Sequence, residues 1–434
     1  MSDANADVTL EAENPQDGNV SEFDIKIRGE WDITTPKKSE VFYNKAFALN
    51  RAIISTALAA YMDLGVSVFD PVRCLDGIGS TGIGGLLWKK YFPTGINVTI
   101  NDTHPKAYEY IKENATQNNL EVTVLNKDTC VLLHEQTFNF ISLDCHTEAA
   151  FYFDSIFRNL PKFGFLAITT KDDASLHGMS PKALRNYGGF ISRTAYSKEL
   201  AIRLFLAALA RAAALHNKDI EVLCSVSWKS SFTVLVMVKR GAKKSLSNIR
   251  RLIHCNMCED RAFYPISNHP IENPSSLLGC GCPARMPGKV AIELGPVWCA
   301  EIFNVDFLSL MLSKCKKFPW QHTVEALLQQ LLNEARCSSS SCIDTLTDEK
   351  VEPPNKKLRL SSDEDTIEQA PTFYFNLHRH SPKGPQLLRV EKAVQCLQKK
   401  GFRASRTHFD PEAVRTNASL KDLVEILREN SSIK

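Results

Sequence analysis

Residues 73–85 read RCLDGIGSTGIGG. Cys74 and Leu75 belong to a short apolar strand that ends at Asp76, and glycines follow at positions 77, 79 and 82. Glycine permits a tight turn and close backbone approach, and a helix starting just beyond offers free N–H donors. The pattern predicts that a flat or anionic, nucleotide-like ligand lies against Gly77, Gly79 and Gly82.

The following segments repeat the theme. Residues 97–102, NVTIND, read as a second strand ending at Asp102, where a carboxylate would hold two ribose hydroxyls roughly 20 residues after the turn. Residues 105–118 read as an amphipathic helix with Ala107, Tyr110, Ile111 and Ala115 on one face. Third and fourth strands end at Asp128 and Asp144, and GFLAITTKDD (164–173) is a fifth. Four carboxylates thus stand at or just past strand C-termini, the edge at which open α/β sheets bind ligands.

The last two strands discriminate between nucleotide folds. EVLCSVSW (221–228) and FTVLVMVK (232–239) are separated only by Lys229, Ser230 and Ser231. So short a link cannot form a parallel crossover. It predicts a hairpin, with strand seven antiparallel in an otherwise parallel sheet. Dehydrogenase-type sheets lack that hairpin, whereas the sheet of S-adenosylmethionine (SAM) methyltransferases ends in one. The expected fold is therefore α/β, a class I SAM-dependent methyltransferase sheet of seven strands with the last antiparallel, plus a zinc-containing α+β C-terminal domain.

The chain has 434 residues, 44% of them hydrophobic and 23% charged, as expected of a globular protein with two or three domains. No apolar run reaches membrane-spanning length, so no membrane partner is expected. Seven acidic residues precede the first cation, Lys26. This is unlike a secretory or mitochondrial leader, and residues 1–28 are expected to be an acidic, disordered tail. The methyltransferase domain is expected over 29–245 and a zinc-binding region with helices over 246–336. Residues 337–370, polar with Ser and Pro, read as a linker. Its cluster Lys356-Lys357-Leu358-Arg359 fits either nuclear import or a chance basic patch. Residues 371–434 carry twelve Lys/Arg against six Asp/Glu, and 237–254 carries six basic residues and no acid. Both segments suit a polyanion or plain solubility. The C-terminal segment is expected to be a small basic, winged-helix-like module, with Phe373, Tyr374 and Phe375 in its core rather than stacking on bases.

Thirteen cysteines without a secretory signal suggest a reducing compartment. Cys255-x-x-Cys258 and Cys280-x-Cys282 are spaced like a zinc ribbon, with one residue fewer in the second pair. A closed structural zinc site is expected there, the alternative being two pairs of free thiols.

At this point the chain resembles the tRNA guanine-N2 dimethyltransferases, closest to the animal dimethyltransferase-like branch, from roughly residue 29 onward. The carriers are VFYN (41–44) with Asn50-Arg51, the SAM loop, Arg185-Asn186-Tyr187-Gly188, Lys198-Glu199 with Arg203, Gly295-Pro296-Val297-Trp298, and HFDPEAVRTNAS (408–419). The resemblance implies methylation of a guanine N2 in the tRNA hinge, at position 26 or adjacent, once or twice. It implies SAM and tRNA as cofactor and partner, with no DNA. Arg51 would pair with the methionine carboxylate, Asp76 would lie below the glycine loop, Asp102 would take the ribose, and Asp128, beside Thr129, would bond the adenine amine.

Two departures stand out. Gly84 occupies the place of an arginine common in the family, with Arg73 a possible substitute. The catalytic motif, D-P-F-G or a relative, reads Asp144-Cys145-His146-Thr147 here. Asp144 keeps the carboxylate that accepts an N–H of the target amine. His146 is either a flat ring that stacks on the base or a solvated loop residue. The motif leaves two outcomes open: an enzyme re-tuned for a restricted substrate, or a tRNA-binding protein with a weakened or lost methyltransferase site. A nicotinamide enzyme is disfavoured by the terminal hairpin.

Overall fold

The computed structural model describes residues 19–28, 41, 43–145, 149–176, 180–229, 231–266, 273–286, 288, 290–338, 373–381 and 388–431. Seven strands form the main sheet: β1 (Val72–Asp76), β2 (Ile96–Asn101), β3 (Thr123–Leu125), β4 (Phe140–Cys145), β5 (Phe165–Thr170), β6 (Lys218–Trp228) and β7 (Ser231–Arg240), in the order β3-β2-β1-β4-β5-β7-β6. β7 is antiparallel to both β5 and β6, and the remaining pairs are parallel. The expected hairpin is present, with β7 inserted between β5 and β6. The central strands are buried on both faces, which explains their continuous apolar runs. Phe140 and Phe165 stack at 4.8 Å within this core.

Helix α1 (Ala48–Asp63) is buried nearly all round, as an apolar helix enclosed by others must be. The other helices of the sheet are α2 (Ile83–Tyr91), α3 (Pro105–Gln117), α4 (Thr129–Glu135), α5 (Phe153–Asn159) and α6 (Ser197–Leu215). Helices α7 (Val305–Cys315) and α8 (Gln321–Ser338) pack against α1, where the Trp320 indole N–H donates to Thr56 Oγ1 at 2.9 Å. They therefore belong to the methyltransferase core. The region expected as one unit over 246–336 divides, leaving β8 (Ile249–Cys255), β9 (Arg261–Pro265) and β10 (Ala291–Trp298) as a separate antiparallel sheet.

The expected acidic tail is overturned for residues 19–28. Asn19–Glu22 and Ile25–Arg28 form an antiparallel hairpin whose Ile25 and Ile27 are fully buried. Backbone N–H groups of Lys26 and Arg28 donate to Asn118 and Asn114 on and just past α3, at 2.9 and 2.7 Å. Alternating burial along a two-stranded ribbon, not net charge, decides that this acidic segment folds.

The C-terminal module is a three-stranded antiparallel sheet, β11 (Tyr374–Asn376), β12 (Ala404–Arg406) and β13 (Ala413–Thr416) in the order β11-β13-β12. Helices α9 (Val390–Lys399) and α10 (Leu420–Asn430) cover it. Phe373, Tyr374 and Phe375 are buried, as expected of core residues. The linker cluster 356–359 lies outside the described residues. The basic stretch at the end of β7 lies away from the acidic strand ends. Met237 pairs with Phe165 at the start of β5, and Lys239 forms an ion pair with Glu221 at 2.8 Å.

A buried charge network joins the parts. Glu199 on α6 accepts from Arg203 (Nη2, 2.8 Å) and from Arg415 on β13 (Nη2, 2.7 Å). Arg415 Nε reaches Glu334 on α8 at 3.4 Å. Glu334 also accepts from the Thr407 hydroxyl at 2.8 Å and the His408 backbone N–H at 2.6 Å. The Ser227 N–H donates to His408 Nε2 at 3.1 Å, which leaves Nδ1 to donate to Glu334 at 2.7 Å. Arg203 Nη1 donates to the carbonyls of Trp298 and Ala300, both at 2.9 Å. Three of the motifs that carry the family resemblance thus meet in one interdomain lock.

Removing one member leaves an uncompensated buried charge. Arg415→Ala is expected to cost about 3–5 kcal/mol, read by chemical unfolding. Burial pushes the Glu334 carboxyl up, but His408 and Arg415 outweigh it and hold it below the ordinary 4.5. Its contribution is therefore present above 4.5 and is lost as pH falls through the lower folded value.

Candidate active site

The C-terminal ends of β1, β2 and β4 bring Asp76, Asp102 and Asp144 to one cleft of about 260 Å³. Tyr43, Asn50, Arg51, Gly79, Ser80, Thr81, Gly84, Ser142 and Lys171 also line it. Parallel strands in register put their last residues at a common edge, which is why carboxylates distant in sequence converge.

Asp76 is buried, and its Oδ2 accepts the Gly85 N–H at 2.9 Å. Burial pushes its carboxyl up to about 7; that N–H works against the shift, and Asp144 and Asp102 add to it. Asp102 accepts from the N–H groups of Ser80 (2.8 Å) and His104 (2.9 Å). A carboxylate has about four lone-pair positions, so two remain for hydroxyl donors. Asp144 is half-buried on the cleft wall, with Lys171 nearby holding its ammonium 3.7 Å from the Phe47 ring centroid. Thr81 Oγ1 is buried on the cleft with no partner among the described residues. An orphaned hydroxyl between acidic strand ends suits a ligand bearing sugar or amino-acid polar groups. The residues fit an adenosine-type cofactor with a cationic centre.

Arg51 reaches the same cleft from α1. Its Nε donates to Glu22 Oε1 at 2.7 Å, its Nη2 donates to Glu22 Oε2, and Nη2 also donates to the Asn44 carbonyl at 3.1 Å. Burial works against its charge, but the Glu22 carboxylate more than restores it.

The glycine loop is also packed closely against the protein's own side chains. A Cβ on Gly77 would meet Leu143 Cδ2 at 2.4 Å, and one on Gly79 would meet Ile100 Cγ2 at 2.5 Å. Gly82 has φ +80° and faces Ile111. These glycines are required first by the protein's own close packing and, at Gly82, by a left-handed turn; Gly79 alone of the three also lines the cleft.

Two other sequence-predicted residues serve locally. Thr129 is buried and donates to the Gly77 carbonyl at 2.8 Å, pinning the loop. Asp128 is exposed and caps α4 by accepting the Val131 N–H at 3.0 Å, outside the cleft lining. Arg73 cannot replace the missing arginine at Gly84, because its guanidinium lies over Phe69 and Phe138 at the other end of β1. A Cβ on Gly84 would meet Asp76 Oδ2 at 2.8 Å, so this glycine and the buried carboxylate accommodate each other. Cys145 is buried, and burial raises its thiol well above the ordinary value, with Asp144 adding to the effect. It is no nucleophile. His146 and Thr147 lie outside the described residues.

Sequence reasoning missed Glu22, Asn50 and Lys171. Asn50 closes a buried ring with Thr169 and Thr233, through contacts of 3.0, 2.6 and 2.8 Å. In the sequence Asn50 stands out only as a member of the Asn50-Arg51 pair that carries the family resemblance. Lys171 could have been found as the cation that ends the fifth strand.

Cys255, Cys258, Cys280 and Cys282 meet beside β8, with all four Sγ atoms within 4.8 Å of one another. Tetrahedral zinc with Zn–S near 2.3 Å needs sulfurs roughly 3.8 Å apart. The four thiols can reach that geometry with small side-chain movements.

The family model described as N2,N2-dimethylguanosine tRNA methyltransferase matches residues 22–347 and 345–428. The chain belongs to this family. It is 35% identical over 480 aligned positions to the tRNA (guanine(27)-N(2))-dimethyltransferase of Bos taurus, covering 98% of this chain and 64% of that protein. The Homo sapiens protein of the same description is 35% identical, with 95% and 63% covered. The tRNA (guanine(26)-N(2))-dimethyltransferase of Methanosarcina barkeri is 29% identical, with 91% and 92% covered. The chain thus spans about 64% of the length of the animal relatives. The solved structure of Trm1 from Pyrococcus horikoshii with S-adenosyl-L-methionine shares the fold, with TM-score 0.71 and 23% identity over 94% of this chain and 99% of that one.

Asp76 also gives the protein a pH signature. Unfolded chain loses this proton near 3.8 and folded protein near 7, so the folded state binds more protons between those values. Its contribution to stability falls as pH rises through that window. Asp76→Asn is expected to gain on wild type in urea unfolding at pH 7.5 relative to pH 4.5. An unchanged difference would remove the buried-acid description.

Proposed function

We propose that this chain is a SAM-dependent tRNA guanine-N2 methyltransferase acting in the tRNA hinge, at position 26 or its neighbour 27. Family membership and the existence of relatives named for guanine 27 and guanine 26 support the reading. The observation that carries it is the convergence of Asp76, Asp102 and Asp144 with Arg51 on one cleft. The alternative of a tRNA holder with a lost site is disfavoured, because the acidic strand ends and the cleft are intact.

When bound, the cofactor supplies a methyl group on a sulfonium. Asp102 has acceptor positions left for the ribose, Arg51 supplies positive charge for the methionine carboxylate, and Asp76 places a buried acid beneath the loop. Asp144 accepts an N–H of the guanine amine, stabilises the charge that develops there and takes the proton. Cys145 stays a neutral thiol and fixes the backbone by burial rather than by a proline ring. The target base must leave its stack to reach this depth, at a cost of a few kcal/mol.

A zinc ion held by Cys255, Cys258, Cys280 and Cys282 would close the turn beside β8 without entering the reaction. The tRNA body is bound through phosphates by basic residues of the C-terminal module, so binding weakens steeply with salt. The cluster at 356–359 supports a nuclear location, checked by imaging the chain with and without those lysines and arginine.

Asp144→Ala is expected to reduce methyl transfer to unmodified tRNA by 10² or more, roughly the worth of a positioned acid–base group. Equal incorporation of labelled methyl by variant and wild type would remove Asp144 from the mechanism. Metal analysis should return about one zinc per chain, and Cys258→Ser should lose it along with thermal stability; a folded, metal-free wild type would refute the site.

A further inference from the structure

The N-terminal hairpin ends its first strand at Glu22, and that carboxylate is buried against Arg51. Of the five guanidinium hydrogens, Nε–H goes to Glu22 Oε1 and the two on Nη2 go to Glu22 Oε2 and the Asn44 carbonyl. Only Nη1 remains outside this set. The Tyr43 hydroxyl donates to Glu22 Oε2 at 2.7 Å, and the Arg51 guanidinium lies 5.1 Å from the centroid of the Tyr43 ring. Arg51 and Tyr43 line the cleft, and Glu22 does not. The carboxylate therefore holds the arginine without itself lining the ligand space.

This has a stereochemical consequence. The forked Nε/Nη2 edge that would grip a cofactor carboxylate bidentately is already filled. Arg51 can meet that carboxylate only through Nη1, and the direction of Nη1 is fixed by the pair behind it. We infer that Glu22 is the positioning residue of the cofactor site, acting through Arg51 on the carboxylate of the cofactor's amino-acid end. The hairpin is then part of the ligand site although its sequence reads as an acidic tail. The inference rests on the methyltransferase reading and adds a residue and a geometry to it.

Two ligands separate positioning from plain structural support. S-adenosylhomocysteine carries the amino-acid carboxylate, and 5′-methylthioadenosine has the same adenosine thioether without it. With the full chain in calorimetry, Glu22→Gln is expected to weaken S-adenosylhomocysteine about tenfold, the worth of one misdirected charge-assisted hydrogen bond. Binding of 5′-methylthioadenosine should change by less than about twofold. Tyr43→Phe, which removes one hydrogen bond to Glu22 and keeps the ring, should show the same selectivity at smaller size. It also serves as the test where Glu22→Gln fails to fold.

Equal weakening of both ligands would mean a merely structural role. No change in either would mean that Arg51 positions itself. Tighter S-adenosylhomocysteine binding in Glu22→Gln would make the glutamate a competitor for Arg51. Each result overturns the proposal. Wild-type protein that binds neither S-adenosylhomocysteine nor SAM removes the methyltransferase reading itself, and the role of Glu22 with it.

Discussion

Three carboxyl groups meet at one sheet edge, and the surrounding protein holds each of them in a different way. Burial keeps the Asp76 proton on to about pH 7, with Asp144 and Asp102 adding to the effect and the Gly85 N–H opposing it. Asp102 is held by two backbone N–H groups. Asp144 shares its wall with Lys171 and feels the Arg51 charge. Each solution differs, so the three groups are chemically distinct in spite of their shared position. One is a buried acid, one is held by backbone N–H groups and one is half-exposed, so the edge offers three different carboxyl environments.

The same problem recurs between the domains. Glu199, Arg203, Arg415, Glu334 and His408 are buried with hydrogen bonds on nearly every polar edge. Apolar side chains would hold such an interface at no lower stability. Charged pairs, however, accept only one arrangement of partners. The network fixes the C-terminal module on α6 and α8, and so fixes what it carries relative to the cleft. Residues 198–203 and 408–415, two of the stretches that carry the family resemblance, supply this network.

The glycine loop shows a second constraint that the sequence alone does not reveal. Glycines were expected to leave room for a ligand. Gly77 and Gly79 leave room for Leu143 and Ile100 instead, and the loop is drawn tight enough for the ligand space to form beside it. Asp128 and Thr129 likewise serve the chain itself, capping α4 and pinning the loop. A residue type at a strand end cannot tell whether its polar atoms face a cofactor or a neighbouring backbone.

The sequence by itself determined the strand order's key feature, the antiparallel seventh strand, because a three-residue link admits no crossover. It also determined that Asp76, Asp102 and Asp144 share an edge, since parallel strands align their ends, and that four cysteines pair by spacing. The tertiary structure alone decided that residues 19–28 fold, that α7 and α8 belong to the first domain, and that Arg51 is gripped by Glu22, 29 positions earlier in the chain. Local pattern records which face of a segment is apolar. Which distant segment covers that face, and which buried charge finds which partner, is set only when the whole chain closes and every desolvated polar group must be satisfied at once.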